Sequence, residues 1–260
     1  MVGPRDTPAW DGTAWAVVAG GSGGVGSAVV RRLVADGANV LFTYRKSANV
    51  AASLVTELAG SGREIESVRV DLTDAAATGS IFDRFHGGQP LGAVVYAAGP
   101  YFRMDYIART TPDELAFQLA ADTQACFNFV QPALPYLRAR PGCVLAVSTP
   151  AVRRYPKRDF LSSLPKAAIE ALIRGVAVEE GRYGVRANCV GVGMIQAGLW
   201  DALHANGDYT EAALEIAQSN IPLTRFGTAD DIANAVSFLV SEQAAWVTGQ
   251  TLYVDGGYSV

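Results

Sequence analysis

Histidine and cysteine are scarce in this 260-residue chain, and their scarcity removes whole classes of chemistry. Two histidines, His86 and His204, cannot build a histidine-rich metal site. The three cysteines, Cys126, Cys143 and Cys189, stand far apart in apolar segments. They are expected as buried, reduced thiols, with no metal and no redox pair. No basic run occurs, and the formal net charge is −4, which argues against nucleic acid or an anionic membrane as the main partner. No apolar run is long enough to span a bilayer. The N-terminal "MVGPRDTPAWDGTAW" has no apolar signal core, so a cytoplasmic protein is expected. Repeats, low-complexity tracts and linkers are also missing, so residues 1–260 are expected to form one domain.

What is present is apolar and ordered. Half of the residues are hydrophobic, enough for a sizeable core at this length. Short β-branched runs predict strands at 15–19, 39–44, 65–70, 92–98, 143–148, 185–191 and 251–255. Helix-period runs fall between them, at about 24–36, 48–60, 75–86, 112–138, 163–181, 210–219 and 229–240. Continuous apolar strands alternating with helices predict an α/β fold: a doubly wound, mostly parallel seven-stranded sheet with helices on both faces. The longest stretch without a strand is 192–250, so a substrate lid is expected around 194–220.

The first strand runs into "GGSGGVG", which opens a helix. Gly20, Gly24 and Gly26 make one glycine pattern, and Gly21, Gly23 and Gly26 another. Gly20, Gly21, Ser22, Gly24, Val25 and Gly26 thus form a candidate cradle for a pyrophosphate at a positive helix end. The second strand ends in Thr43, Tyr44, Arg45 and Lys46. An NAD site usually has an acid there for the ribose hydroxyls. Arg45, with Lys46 beside it, instead matches a 2′-phosphate, so NADP(H) is expected in preference to NAD(H). Asp71, followed by Leu72, ends the third strand; it could accept from an adenine amino group or cap the next helix, a role open to Thr73 and Asp74 too.

In their order these motifs resemble the short-chain dehydrogenase/reductase family over essentially the whole chain. "YAAG" at 96–99 stands where the family has Asn-Asn-Ala-Gly, and 225–257 resembles its last helix, last strand and Val-Asp-Gly-Gly ending. "VRANCVGVG" at 185–193 resembles the strand that normally ends in Pro-Gly, with Val192 replacing the proline. The resemblance implies a Rossmann fold, further cofactor contacts from Ala97, Ala98, Gly99, Gly193 and Ile195, and ribose binding by Lys166. It also implies a homo-oligomer, in the family's pattern a tetramer.

The family's catalytic pattern is incomplete. It uses a Ser, a Tyr four residues before a Lys, and a helix Asn. Here Thr149 takes the serine position beside Ser148, Ser162 the tyrosine position, Lys166 the lysine position and Asp122 the asparagine position. No tyrosine anywhere in the chain lies four residues before a lysine. The longer spacing of enoyl reductases places Asp159, not a tyrosine, seven residues before Lys166.

A serine hydroxyl is too weak an acid to replace a phenol beside a cation. Thr149 and Ser162 therefore stand as hydrogen-bond donors to a carbonyl, with Ser148 beside Thr149 as a further catalytic candidate. Two readings follow. In the first, the chain is an NADPH-dependent ketoreductase acting on a polycyclic aromatic ketone whose own phenol supplies the proton. In composition it resembles atypical tailoring reductases of actinobacterial antibiotic pathways, and angucyclinone-type polyketides have the required phenol. In the second, it is an inactive NADP(H)-binding sensor or scaffold. A pocket lining for an aromatic ligand is offered by Tyr101, Phe102, Tyr155, Met194, Leu199, Trp200 and His204, all in loops at the carboxyl ends of strands. Tyr155 is the tyrosine close enough in sequence to Ser162 to stand as a relocated acid.

Overall fold

A computed structural model describes residues 10–198, 200–207 and 210–260, except the side chain of Asp201. Seven strands, β1 (Trp15–Ala19), β2 (Asn39–Tyr44), β3 (Ile65–Arg69), β4 (Leu91–Tyr96), β5 (Cys143–Ser148), β6 (Arg186–Val192) and β7 (Thr251–Val254), lie in one sheet. Their order is β3-β2-β1-β4-β5-β6-β7, and every neighbouring pair is parallel. This is a single-domain Rossmann-like α/β fold. The expectation of a mostly parallel sheet resolves to a wholly parallel one.

The helices are α1 (Gly24–Ala35), α2 (Ala48–Leu58), α3 (Ala75–Ser80), α4 (Pro112–Gln118), α5 (Ala125–Val130), α6 (Leu134–Ala139), α7 (Phe160–Glu180), α8 (Trp200–Ala205), α9 (Glu211–Ser219) and α10 (Ala229–Val240). Strand alternation splits the core into two layers. Trp15, Val17 and Ala19 of β1 pack toward α5 and α7, with Phe129, Ile169 and Ile173. Ala16 and Val18 pack toward α1 and α10, with Val29, Leu33, Val236 and Leu239. The three cysteines are free and buried, and burial pushes each thiol above its ordinary value.

The single helix expected over 112–138 is several pieces. Thr111 starts α4 with a capping box through Glu114. The chain then widens into a π-helical turn, Leu119–Gln124, before α5. Pro132 and Pro135, at the starts of a 3₁₀ turn and of α6, explain the later break, since proline lacks the N–H that continues an α-helix. Helix α7 begins three residues earlier than expected, at Phe160. The lid expected around 194–220 contains α8 and α9, and α8 was not anticipated.

Phe129 is fully buried, with ring centroids 5.6 Å from Phe82 and 6.2 Å from Tyr96. Phe129→Ala should destabilise the fold by about 3–5 kcal/mol. The check is the urea unfolding midpoint at unchanged m-value.

Candidate active site

At the carboxyl ends of β1, β2 and β3 lies a cavity of about 260 Å³, lined by Gly20, Ser22, Gly23, Thr43–Ser47, Val70–Thr73 and Ala97–Pro100. Two glycines show why the turn is built as it is. Gly20 has φ +75°, and a Cβ there would stand 2.8 Å from the Ala98 Cα. A Cβ on Gly24 would collide with the backbone of Gly198, so the segment after β6 folds over the start of α1. The N-cap Gly23 has no side-chain cap, and no acid lies in the first turn. The positive helix end is thus free to meet an anion. Arg45 and Lys46 stand at the rim, both exposed. These residues fit a dinucleotide with its pyrophosphate on α1 and its adenosine end toward β2.

Asp71 is committed elsewhere than to a helix cap. Its carboxylate accepts from the Thr73 N–H at 3.1 Å and the Thr73 hydroxyl at 2.8 Å. Those two bonds, and then Arg45, hold it below the usual carboxylate range. Asp74 caps α3 by accepting from the Ala77 N–H. Leu72 is buried beside it. Gly193 and Ile195 belong to a strap: the Gly193 N–H donates to Val254, and Ile195 bridges to Gly227. Gly21, Val25 and Gly26 complete the turn into α1, with Gly26 packed under Gly20.

The catalytic positions converge through α7. Lys166 Nζ donates to Asp122 Oδ1 at 3.0 Å, with both side chains largely buried. The π turn presents Asp122 there, and the Thr123 hydroxyl donates to the Pro165 carbonyl beside it. The Tyr96 hydroxyl donates to the Asp122 carbonyl at 3.0 Å and contacts its Oδ1 at 3.2 Å. Tyr96 is fully buried, and burial, with Asp122 adding, pushes its phenol well above the ordinary value. It anchors Asp122 and is no surrogate for an exposed acid. Lys166 Nζ also lies 3.8 Å from the position of a Cβ on Gly99, at the edge of the Ala97–Pro100 wall.

Ser148, the further catalytic candidate, is engaged away from the cavity. Its buried hydroxyl donates to Glu170 Oε1 at 2.7 Å, and that carboxylate is itself buried. Thr149 and Ser162 remain half-buried, and the Thr149 oxygen accepts from the Ala151 N–H. On the substrate side the residues scatter. Tyr101 and Tyr155 are exposed, and the Tyr101 hydroxyl accepts from Asn206, just after α8. Phe102 and Met194 are half-buried, while His204 is exposed. Trp200 packs edge-on to Phe226 at 4.9 Å. Leu199 lies outside the described residues. Among the described ones, none lines the 260 Å³ cavity.

Asp159 is the group that sequence reasoning passed over. It is the N-cap of α7, yet its side chain caps nothing. It is 8% exposed, and its Oδ2 has no hydrogen-bond partner. Burial pushes its carboxyl up to about 7, with the Ser162 side chain pulling the other way by hydrogen bonding to it. An acid at the enoyl-type spacing was visible in the sequence, but its burial was not.

The sequence model described as "Enoyl-(Acyl carrier protein) reductase" matches residues 19–259. The chain is 30% identical over 249 residues to the 3-oxoacyl-(acyl-carrier-protein) reductase of Staphylococcus aureus, covering 93% of this chain and 96% of that one. It is 30% identical over 250 residues to the versicolorin reductase of Emericella nidulans, covering 93% and 94%. A blue fluorescent protein from a metagenomic library, solved in complex with NADPH, superposes with a TM-score of 0.84 at 30% identity, covering 95% of this chain and 98% of that one.

Asp159 also makes stability depend on pH. Its folded value of about 7 lies above the ordinary 3.8, so the folded state holds the proton longer. Stability should therefore fall as pH rises from about 4 to about 7, by up to about 4 kcal/mol, and level off above. Urea titrations across this range should show the slope in the wild type and its loss in Asp159→Asn. With its glycine turn, its parallel sheet order and its relatives in agreement, the chain belongs to the short-chain dehydrogenase/reductase family of oxidoreductases.

Proposed function

We propose that this oxidoreductase is an NADP(H)-dependent ketoreductase of polycyclic phenolic ketones, of the aromatic-polyketide type. The observation that carries the reading is Lys166: it sits at the Gly99 edge of the cofactor cavity, and Ser162 stands one helical turn before it where a tyrosine would donate. Bound NADPH supplies the hydride for the carbonyl carbon. Gly20–Gly26 and the start of α1 hold the pyrophosphate, Arg45 and Lys46 the 2′-phosphate, and Lys166 the nicotinamide ribose. Thr149 and Ser162 hold the carbonyl oxygen by hydrogen bonds. A phenol beside that carbonyl then hands its proton to the new alkoxide, which removes the need for a protein tyrosine. The similarity to a versicolorin reductase and to an NADPH complex supports both substrate class and cofactor.

We also propose that the protein works as a homo-oligomer, a tetramer in the family's pattern. Phe117 and Phe127 on the 112–138 segment and the fully exposed Trp246 before β7 support it, since large apolar side chains in water mark contact surfaces.

Arg45→Ala should raise the NADPH dissociation constant about tenfold or more and leave NADH nearly unchanged. Calorimetry with both cofactors decides it, and equal losses would sink the NADP(H) assignment. With saturating NADPH, a peri-hydroxylated quinone should lose nicotinamide absorbance far faster than its methyl ether. Comparable rates for a bound ether would remove the substrate as proton source. Cofactor binding with no turnover on any such ketone would favour a sensor.

A further inference from the structure

Four polar side chains share one face of α7 and of the residue that caps it. Asp159, Ser162, Lys166 and Glu170 recur at spacings of three and four, which stacks them along the helix. Two of them have clear partners in neighbouring elements. Lys166 is bound to Asp122, and Glu170 to Ser148. Asp159 and Ser162 are left with each other.

The burial of Asp159 is built, not incidental. Its backbone bridges to Asp105, in the loop after β4 that also carries Tyr101 and Phe102. Arg158, just before it, holds a left-handed φ of +72° and donates to the Met104 carbonyl. A non-glycine residue in that region is strained, and strain of this kind persists only where the surroundings enforce it. The first helical turn closes on Asp159 through its carbonyl, which accepts from the Ser162 and Ser163 N–H groups and from the Ser163 hydroxyl. The carboxyl is left over: buried, not capping, with Oδ2 unpartnered.

The charged groups around it are engaged elsewhere. Across the bridge, Asp105 is paired with Arg103 and Arg109. Along α7, Lys166 is paired with Asp122. Arg158 reaches back to the loop after β4. Desolvation thus sets the state of Asp159, opposed by Ser162, and the carboxyl is neutral just below neutral pH.

We propose that Asp159 and Ser162 form the proton relay of this active site, with Asp159 as the positioning and reloading acid behind Ser162. The relay rests on the ketoreductase reading above. When hydride reaches the carbonyl carbon, the C=O π pair moves onto oxygen as an alkoxide, which takes the proton of the neighbouring phenol. A phenolate remains. Ser162, released from the reduced oxygen once that oxygen is protonated, gives its hydroxyl proton to the phenolate and takes the proton of Asp159, leaving a carboxylate. Water returns a proton to Asp159 after product leaves. The two transfers move together, and the net transfer from Asp159 to the phenolate is downhill, because a carboxyl, even one raised by burial, is a stronger acid than a phenol.

The test compares wild type, Asp159→Asn, Asp159→Glu and Ser162→Ala on a peri-hydroxylated quinone with saturating NADPH. Wild-type kcat should fall as pH rises through about 7, the direction set by loss of the acid form. Asp159→Asn should lower kcat about a hundredfold near pH 6, leave KM and the NADPH dissociation constant nearly unchanged, and abolish the pH limb. Asp159→Glu should restore part of the limb. If Asp159→Asn fails to fold, Ser162→Ala carries the test, because it breaks the relay while keeping the acid; it too should lose the limb. Infrared difference spectra, wild type minus Asp159→Asn without cofactor, should show a neutral carboxyl at about pH 6. Unchanged kcat and pH limb in both Asp159→Asn and Ser162→Ala, or no neutral carboxyl in the infrared, overturns the relay. A wild type that turns over no ketone sinks the ketoreductase reading instead, and the infrared spectrum then judges Asp159 by itself.

Discussion

The ion pair between Lys166 and Asp122 is the constraint around which this active site is arranged. It joins α7 to the π turn between α4 and α5, and Tyr96 ties the same carboxylate to the end of β4. Three elements that meet nowhere in sequence are thereby held in one register. A largely buried pair of this kind adds little net stability over a well-packed apolar contact, yet losing one partner strands a charge and costs several kcal/mol. Its value is positional. With Asp122 accepting both Lys166 and Tyr96, the ammonium is held beside Gly99, at the edge of the glycine-lined cavity.

Two aspartates show how the same side chain is put to opposite uses. Asp122 is buried with a cation and a phenol around it. Asp159 is buried beside Ser162, and among the described residues one of its oxygens has no partner. The first organises, while the second stores a proton at the expense of fold stability above about pH 4. Ser162 and the raised Asp159 carboxyl stand one helical turn apart at the start of α7.

The glycine-lined cavity and the aromatic candidates are built from different kinds of element. The former lies over the carboxyl ends of β1 and β2, both almost wholly buried, with a left-handed Gly20 and the Gly24 turn closed over by Gly198. The latter stand in loops and in the short helix α8, where Tyr101 meets Asn206 and Trp200 meets Phe226.

Sequence by itself determined the sheet, the glycine turn and the missing tyrosine. Strand bounds at 15–19, 39–44 and 143–148 coincide with β1, β2 and β5, because fully buried parallel strands need unbroken β-branched runs that leave little ambiguity in a linear reading. The glycines were legible because each acts through its own backbone and its nearest neighbours in sequence. Tertiary structure alone decided that Ser148 serves Glu170, that Tyr96 serves Asp122, that the long central helix is interrupted by a π turn, and that Asp159 is sealed from water. Each of these depends on which distant side chain arrives at 3 Å or on what excludes solvent, and desolvation is a property of the packed neighbourhood that no single residue type or spacing carries.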